Sequence, residues 1–359
     1  MTDSTIPSFE GATCPVPMRH DDQIVIGHGS GGRMTQDLIA RVFSPAFMNP
    51  ILAQSNDFAS FELPPNAMLN GRLAFSTDSH IVSPLFFAGG DIGRLAVCGT
   101  VNDVSMSGAV PLYLTAGFII EEGLPIQTLE RVAASMQAAA QEAGVKIVAG
   151  DTKVVERGKA DGLFINTAGV GWIPPHIHIG GALACPGDAV LISGTIGDHG
   201  IAVLSARGDL GFDAAVTSDV APLNSLISNL LEAAPGVHVL RDPTRGGLAT
   251  TLNEIAHQSG VCIEIYEEKI PIHAPVQAAC EMIGFDPLYV ANEGKVIVIL
   301  PSDQVDAALK IMHNSPHGAE AAVIGVVKPA PSGRVLMKTS IGGTRVLDVL
   351  AGEMLPRIC

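Results

Sequence analysis

Aromatic residues make up only 4% of this 359-residue chain, with a single Trp. A surface that stacks bases or cages a ligand in aromatic rings is therefore not expected. Basic residues are also scarce: 21 Lys+Arg stand against 36 Asp+Glu, a net charge of −15. Such a field repels phosphate backbones and anionic lipid, which argues against nucleic acid or a membrane as partner. A nucleotide remains admissible where a cation or buried arginines neutralise it. No stretch supplies the ~20 uninterrupted apolar residues that a membrane span needs. The segment 1–22 carries Asp3, Glu10, Asp21 and Asp22 without an apolar core, so it reads as a polar arm and not a signal peptide. The six cysteines are scattered and form no CxxC pair. That disfavours a structural zinc site or a redox dithiol, and the expected compartment is a reducing cytoplasm.

What is abundant is glycine (39 residues), in a chain that is 47% hydrophobic. The length suggests two domains. An arm over 1–22 is expected to precede a first domain over 23–175. The Pro- and Gly-punctuated stretch 174–181 separates this from a second domain over 182–345, and a loose tail follows over 346–359. Helices are expected over 34–43 (stopped by Ser44-Pro45), 91–106, 125–143, 221–233, 248–259 and 304–313, from apolar residues at helical spacing. Strands are expected over 72–76, 112–120, 145–149, 163–170, 189–193, 237–240, 261–266, 295–300 and 321–327. Both halves mix the two, which predicts an α+β (mixed α/β) fold in each.

Four features bear on chemistry. The first is Gly27-His28-Gly29-Ser30-Gly31-Gly32 between a short apolar run and a helix. Gly27, Gly29 and Gly32 fit the G-x-G-x-x-G spacing of a dinucleotide loop. A P-loop is rejected, because Arg33-Met34 stands where Lys and a hydroxyl residue are required. A plain flexible turn explains the glycines equally well.

The second feature is a set of aspartates in short polar motifs: Asn56-Asp57, Thr77-Asp78, Asn102-Asp103 and Gly150-Asp151-Thr152. Hard carboxylate oxygens suit Mg²⁺ shared with phosphate. Each Asp alone reads as a turn or helix cap; the repetition favours a metal–phosphate site. The third is Arg241-Asp242-Pro243-Thr244-Arg245-Gly246-Gly247 before a helix, an arrangement suited to an anion, although a tight loop with solvated arginines has the same look. The fourth is Cys359, a terminal thiol behind Pro356. A prenylation box needs a Cys four from the end, where Pro356 stands. Lys153 and Glu293 are candidates for proton transfer, set against a surface Lys and a turn Glu.

Taken together, Phe75–Ser79, Val101–Ala109, Val148–Lys153 and Arg241–Gly247 resemble the ATP-site motifs of the aminoimidazole ribonucleotide synthetase superfamily. Within it, Gly27–Met34, Gly194–Gly200, Ala291–Lys295 and the ending Pro356-Arg357-Ile358-Cys359 are similar to the HypE family of hydrogenase maturation. The resemblance spans about Ile24 to Cys359.

That resemblance implies a two-domain fold whose N-terminal sheet closes a barrel across a homodimer. It implies ATP and Mg²⁺ as cofactors, with Asp57, Asp78, Asp103 and Asp151 on the metal. Gly29, Gly31, Gly32, Asn102, Thr152, Asp242 and Arg245 would help hold the nucleotide. It implies that the carbamoyltransferase HypF loads Cys359, that the carbamoyl group is dehydrated to a thiocyanate with Lys153 and Glu293 relaying protons, and that a HypC–HypD complex carries the iron that receives cyanide. The competing readings are an NAD-dependent oxidoreductase built on the glycine loop, a small-molecule kinase or synthetase of the same superfamily, and a non-catalytic scaffold. The oxidoreductase requires a buried strand ending near Asp57, and Ile51–Asn56 after Pro50 makes a poor one.

Overall fold

A computed structural model describes residues 22–29, 33–52, 71–208, 215–349 and 358. Helices α1 (Arg33–Leu38) and α2 (Ser44–Phe47) flank a π-type turn over Ile39–Phe43. The expected stop at Ser44-Pro45 is therefore corrected. Pro45 falls in the first turn of α2, directly after the π-type turn, which closes with Ser44 N bonded to the Ile39 carbonyl.

Strand β1 (Arg72–His80) and the two-residue strands β2 (Phe86–Phe87) and β3 (Gly90–Asp91) lead into α3 (Ile92–Met106). Asp91 caps that helix, accepting from Gly93 N at 2.7 Å and Arg94 N at 3.1 Å. Then follow β4 (Val110–Glu121), α4 (Ile126–Ala143), β5 (Lys146–Val155) and β6 (Leu163–Ile173). The second half runs β7 (Ala189–Ile192), α5 (Asp198–Arg207), α6 (Asn224–Ala233), β8 (Val239–Arg241), α7 (Gly247–Ser259), β9 (Cys262–Tyr266), α8 (Ala274–Ile283), β10 (Ile297–Leu300), α9 (Val305–His313), β11 (Ala322–Lys328), β12 (Arg334–Lys338) and β13 (Thr344–Leu347).

The strands form a four-stranded sheet, β1-β6-β4-β5, a seven-stranded sheet, β13-β12-β9-β11-β7-β10-β8, and the small pair β2-β3. The first sheet buries one face under α3 and α4 through Leu114, Ala116, Phe118, Ile120 and Ile165. Its other face stays open: Leu73, Phe75 and Ile119 are 46%, 75% and 43% exposed and align with Trp172, Val170 and Phe164 of β6. In the second sheet, alternate residues of β7 and β10 feed two cores. Val190, Ile192, Ile297 and Ile299 pack with α7, whereas Leu191, Val298 and Leu300 pack with α6, α9 and the end of α3. No helix among the described residues is long and apolar enough to cross a membrane.

Strand pairing moves two expected boundaries. Asp78 and Asp151 were expected just after strands, yet both lie inside them, because pairing extends β1 to His80 and β5 to Val155. Tertiary hydrogen bonding overrides the turn preference of Thr-Asp and Gly-Asp.

Arg94 ties the two halves. Its guanidinium holds Glu142 of α4 at 2.7 Å and the Val220 carbonyl at 2.9 Å. Arg94→Met should cost on the order of 2 kcal/mol, because the Val220 carbonyl loses a charged donor. Glu142→Gln should cost less than about 1 kcal/mol, since that carboxylate is partly solvated. The Arg94 bond holds the Glu142 pKa below its usual value. Its contribution is therefore complete above the unfolded carboxyl pKa and disappears as pH falls through the lowered folded one. Thermal melts across the acid range should show a shallower loss in Glu142→Gln than in the parent.

Candidate active site

Three loops converge at the junction of the halves, and buried Asn292 fastens them together. Its Oδ1 accepts from Gly197 N at 2.7 Å, and its Nδ2 donates to the Pro243 carbonyl at 2.8 Å and the Val290 carbonyl at 3.1 Å. Motifs more than 90 residues apart in sequence (Gly194–Gly200 and Ala291–Lys295) thus meet the Arg241–Gly247 loop. The meeting is close. A Cβ on Gly294 would stand 1.8 Å from the Asp219 carbonyl, and one on Gly247 would stand 2.6 Å from the Val290 carbonyl.

Around this junction the carboxyls gather. Asp78 lies on the inner face of β1, over α3. Gly99 of α3 permits the approach: a Cβ there would press on His80 Cε1 at 3.0 Å, beside Asp78. One turn further along α3, Asp103 accepts from Ser76 Oγ at 2.6 Å. Burial raises the Asp103 pKa, Ser76 opposes that, and Asp78 adds to it. The Asp242 pKa is also raised, first by burial and then by Asp103. Buried Glu293 is raised well above the usual carboxyl range by burial, then by Asp242, Asp219, Asp78 and Asp103. Its Oε1 has no hydrogen-bond partner among the described residues. Burial thus favours the neutral form of this carboxyl. A cleft of about 450 Å³ opens here, lined by Phe75, Ser76, Asp103, Arg241, Asp242 and Arg245.

Several expected site residues stand elsewhere. Asn102 is buried at the loop junction. Its amide is spent on the backbone, donating to the Ala221 carbonyl at 3.0 Å and the Glu293 carbonyl at 3.3 Å while accepting from Leu223 N at 2.8 Å. It therefore positions the Glu293 loop. Asp151 does not join Asp78 and Asp103 within one chain. It aligns with Gly117 and, through it, with Asn166 on the open face, three strands from β1, or roughly 14 Å at normal strand spacing. Alternation places it on the face opposite Asp78. Lys153, two residues on, shares that face and pairs with Asp151 at 3.3 Å. Asp151, Thr152 and Lys153 instead edge a pocket of about 240 Å³ with Thr35, Ile39 and Phe43. Gly29 ends a 3₁₀ turn over Ile26–Gly29. Asp57, Gly31, Gly32 and Cys359 lie outside the described residues.

The tail was expected to be loose from residue 346. Leu347 is instead buried in β13, and Ile358 is 5% exposed, packed into the core of the first half. A branched apolar side chain next to the terminal residue gains more from burial than the chain end loses in freedom.

Sequence reasoning missed Ser218, Asp219 and the role of Lys295. Asp219 Oδ1 accepts from Glu293 N at 3.1 Å, and Lys295 Nζ lies 3.4 Å from Asp219 Oδ2. Ser218 and Asp219 sit in an irregular segment with no motif around them. The Asn-Glu-Gly-Lys run was the available signal for Lys295. Apart from this site, Asp188 accepts from Cys185 N and His238 Nδ1, both at 2.8 Å, which fixes the turn before β7.

Comparison with known proteins matches the same two halves. Residues 64–173 match the N-terminal domain of AIR synthase related proteins and residues 185–338 match the C-terminal domain. The chain is 55% identical to a carbamoyl dehydratase HypE of Azotobacter vinelandii over 332 residues, 92% of this chain and 96% of that one. A crystal structure of hydrogenase maturation protein HypE in complex with ATP superposes with a TM-score of 0.88 at 53% identity, covering 93% of this chain and 99% of the other. The HypE of a HypE–HypF complex does so with a TM-score of 0.76 at 50% identity, covering 89% and 100%. Matched domain for domain along both halves, the chain belongs to the AIR synthase related proteins and, among them, to the HypE family.

Proposed function

We propose that this chain carries a carbamoyl group on the sulfur of Cys359 and uses ATP to dehydrate it to a thiocyanate, which supplies the cyanide ligand of the nickel–iron hydrogenase centre. Relatives more than half identical carry the name carbamoyl dehydratase, and a close structural neighbour binds ATP. The observation that carries the reading is Glu293: a buried carboxyl whose pKa burial raises, its Oε1 without a partner among the described residues, in a chain whose residue before Cys359 is docked in the core.

The chemistry follows from charge. A carbamoyl oxygen is a poor leaving group. Its attack on the γ-phosphorus releases ADP and turns that oxygen into part of a phosphate. Loss of phosphate and of both N–H protons then leaves S–C≡N, so the elements of one water depart in all. Glu293 can donate its proton to the leaving phosphate and, as a carboxylate, take one from nitrogen. Phosphoryl transfer otherwise needs positioning and charge neutralisation. Arg241 and Arg245 at the cleft provide cationic charge for the phosphates.

Asp78, Asp103 and Asp242 fit Mg²⁺ within one chain, because they are hard donors, two of them raised by burial and then by their neighbours' charge. Bound there with ATP, the ion would supply neutralisation of the phosphate charge. Asp151 and Lys153 belong to the open face of the first sheet, where we place the second copy of a homodimer closing a barrel. HypF is the partner that loads Cys359, in line with a relative's HypE–HypF complex. A HypC–HypD complex accepts the cyanide, and the setting is the cytoplasm.

The test is the mass of the C-terminal peptide after incubation with carbamoyl phosphate, Mg-ATP and HypF. The parent should gain a carbamoyl group that then loses one water. Cys359→Ser should gain nothing. Glu293→Gln should load normally but dehydrate about a hundredfold or more slowly, the usual worth of a positioned proton-transfer group. ATP consumed on a small molecule with Cys359 untouched would make the chain a kinase or synthetase instead.

The homodimer has its own test. Phe75→Asp places a charge in the middle of the open apolar face. It should shift sedimentation from dimer to monomer at micromolar concentration without lowering the melting temperature by more than a few degrees. An unchanged dimer would move the interface elsewhere.

A further inference from the structure

Ile358 is gripped through its backbone as well as its side chain. Its carbonyl accepts from His199 Nε2 at 2.6 Å. His199 lies in the first turn of α5, is wholly buried, and meets the Phe87 ring edge-on at 5.4 Å. Its other nitrogen, Nδ1, is 2.8 Å from Ser218 Oγ, and Ser218 Oγ accepts from Val220 N at 3.2 Å.

These contacts fix every proton. A carbonyl can only accept, so Nε2 carries the hydrogen. Burial lowers the His199 pKa, so the ring is neutral and Nδ1 is bare. Nδ1 therefore accepts from the Ser218 hydroxyl, whose oxygen takes the Val220 N–H. The chain of donors runs from backbone 220 through Ser218 and His199 to backbone 358 without a conflict. A ring held by its far nitrogen presents one donor in one direction.

The residue between Ser218 and Val220 is Asp219, which seats the Glu293 backbone and faces Lys295. One three-residue segment thus orients both the tail's clasp and the loop of the proton-transfer candidate. We propose that His199, oriented by Ser218, is a positioning residue that sets the register of the C-terminal tail, so that the next residue, Cys359, starts from one fixed point. This rests on the carrier reading of Cys359. Because the clasp reads a carbonyl and an apolar side chain, it demands correct spacing to the thiol and a hydrophobic residue before it. It does not demand a particular polar sequence.

The test uses the full chain, loaded with carbamoyl and read by peptide mass, together with alkylation of unloaded protein by iodoacetamide. Exposed Cys185 serves as the internal reference for alkylation. His199→Ala should slow dehydration about tenfold, the worth of one buried hydrogen bond. It should also speed Cys359 alkylation relative to Cys185 by a similar factor, with the KM for ATP unchanged. His199→Gln, which keeps a donor near the Nε2 position, should restore most of both. Ser218→Ala leaves the ring in place but frees its tautomer, and should fall between.

Parent rates in His199→Ala for dehydration and alkylation would overturn the proposal. So would equal slowing in the Ala and Gln variants with Cys359 alkylation unchanged, which is the mark of a merely structural histidine. Failure of the carrier reading would appear differently, as a parent chain whose Cys359 never gains the carbamoyl group while its alkylation still responds to His199.

Discussion

The site depends on one electrostatic constraint: where the two halves meet, burial and then the neighbouring carboxylates, Asp78 among them, raise Asp103, Asp242 and Glu293. Like charges do not gather at a buried junction unless something balances them. Part of the balance is internal. Ser76 donates to Asp103, Arg241 stands close to Asp103 and Asp242, and burial favours the neutral form of Glu293. The rest is left for a cation and a nucleotide. The fold holds the repulsion in place with polar staples, since Asn102 and Asn292 spend their amides on backbone groups of the very loops that carry the carboxyls.

That arrangement explains why the sequence told so much about which residues matter and less about where they stand. The helices 92–106 and 126–143 were legible because caps and apolar spacing are local properties: Asp91 at one start, and Gly144 at φ 71° at one end. Strands β7 to β11 were legible as apolar runs, as in Ala189–Ile192, which is buried on both faces, whereas β12 and β13 were not read. Helix α8 was not read. Its apolar residues follow a Pro-rich entry, and its one buried face is chosen by packing on α5 and the following loop rather than by a local signal.

The aspartates show the same limit more sharply. Thr-Asp and Gly-Asp read as turns from local chemistry, but β6 and β4 offer ladder partners that keep both segments extended. Once extended, alternation decides the rest. Asp78 points to the core side and Asp151 to the open side, so residues that read as one metal site in sequence divide between two faces of one sheet. An oligomer whose open faces meet would give Asp151 and Lys153 a role that a single chain denies them. The apolar character of that face, with Phe75 three-quarters exposed, points the same way.

The tail completes the argument, because it links specificity to the constraint at the junction. A mobile thiol would reach the cleft rarely and in many orientations. Fixing the residue before it narrows that search, and restricting approach geometry raises effective concentration. The holding groups are neutral, a histidine and a serine, although acidic groups crowd nearby. A charged clasp would couple tail docking to every change in phosphate and metal charge during the reaction. A neutral donor to a backbone carbonyl feels those changes least, so the tail can stay in register while the charge beside it is built up and discharged.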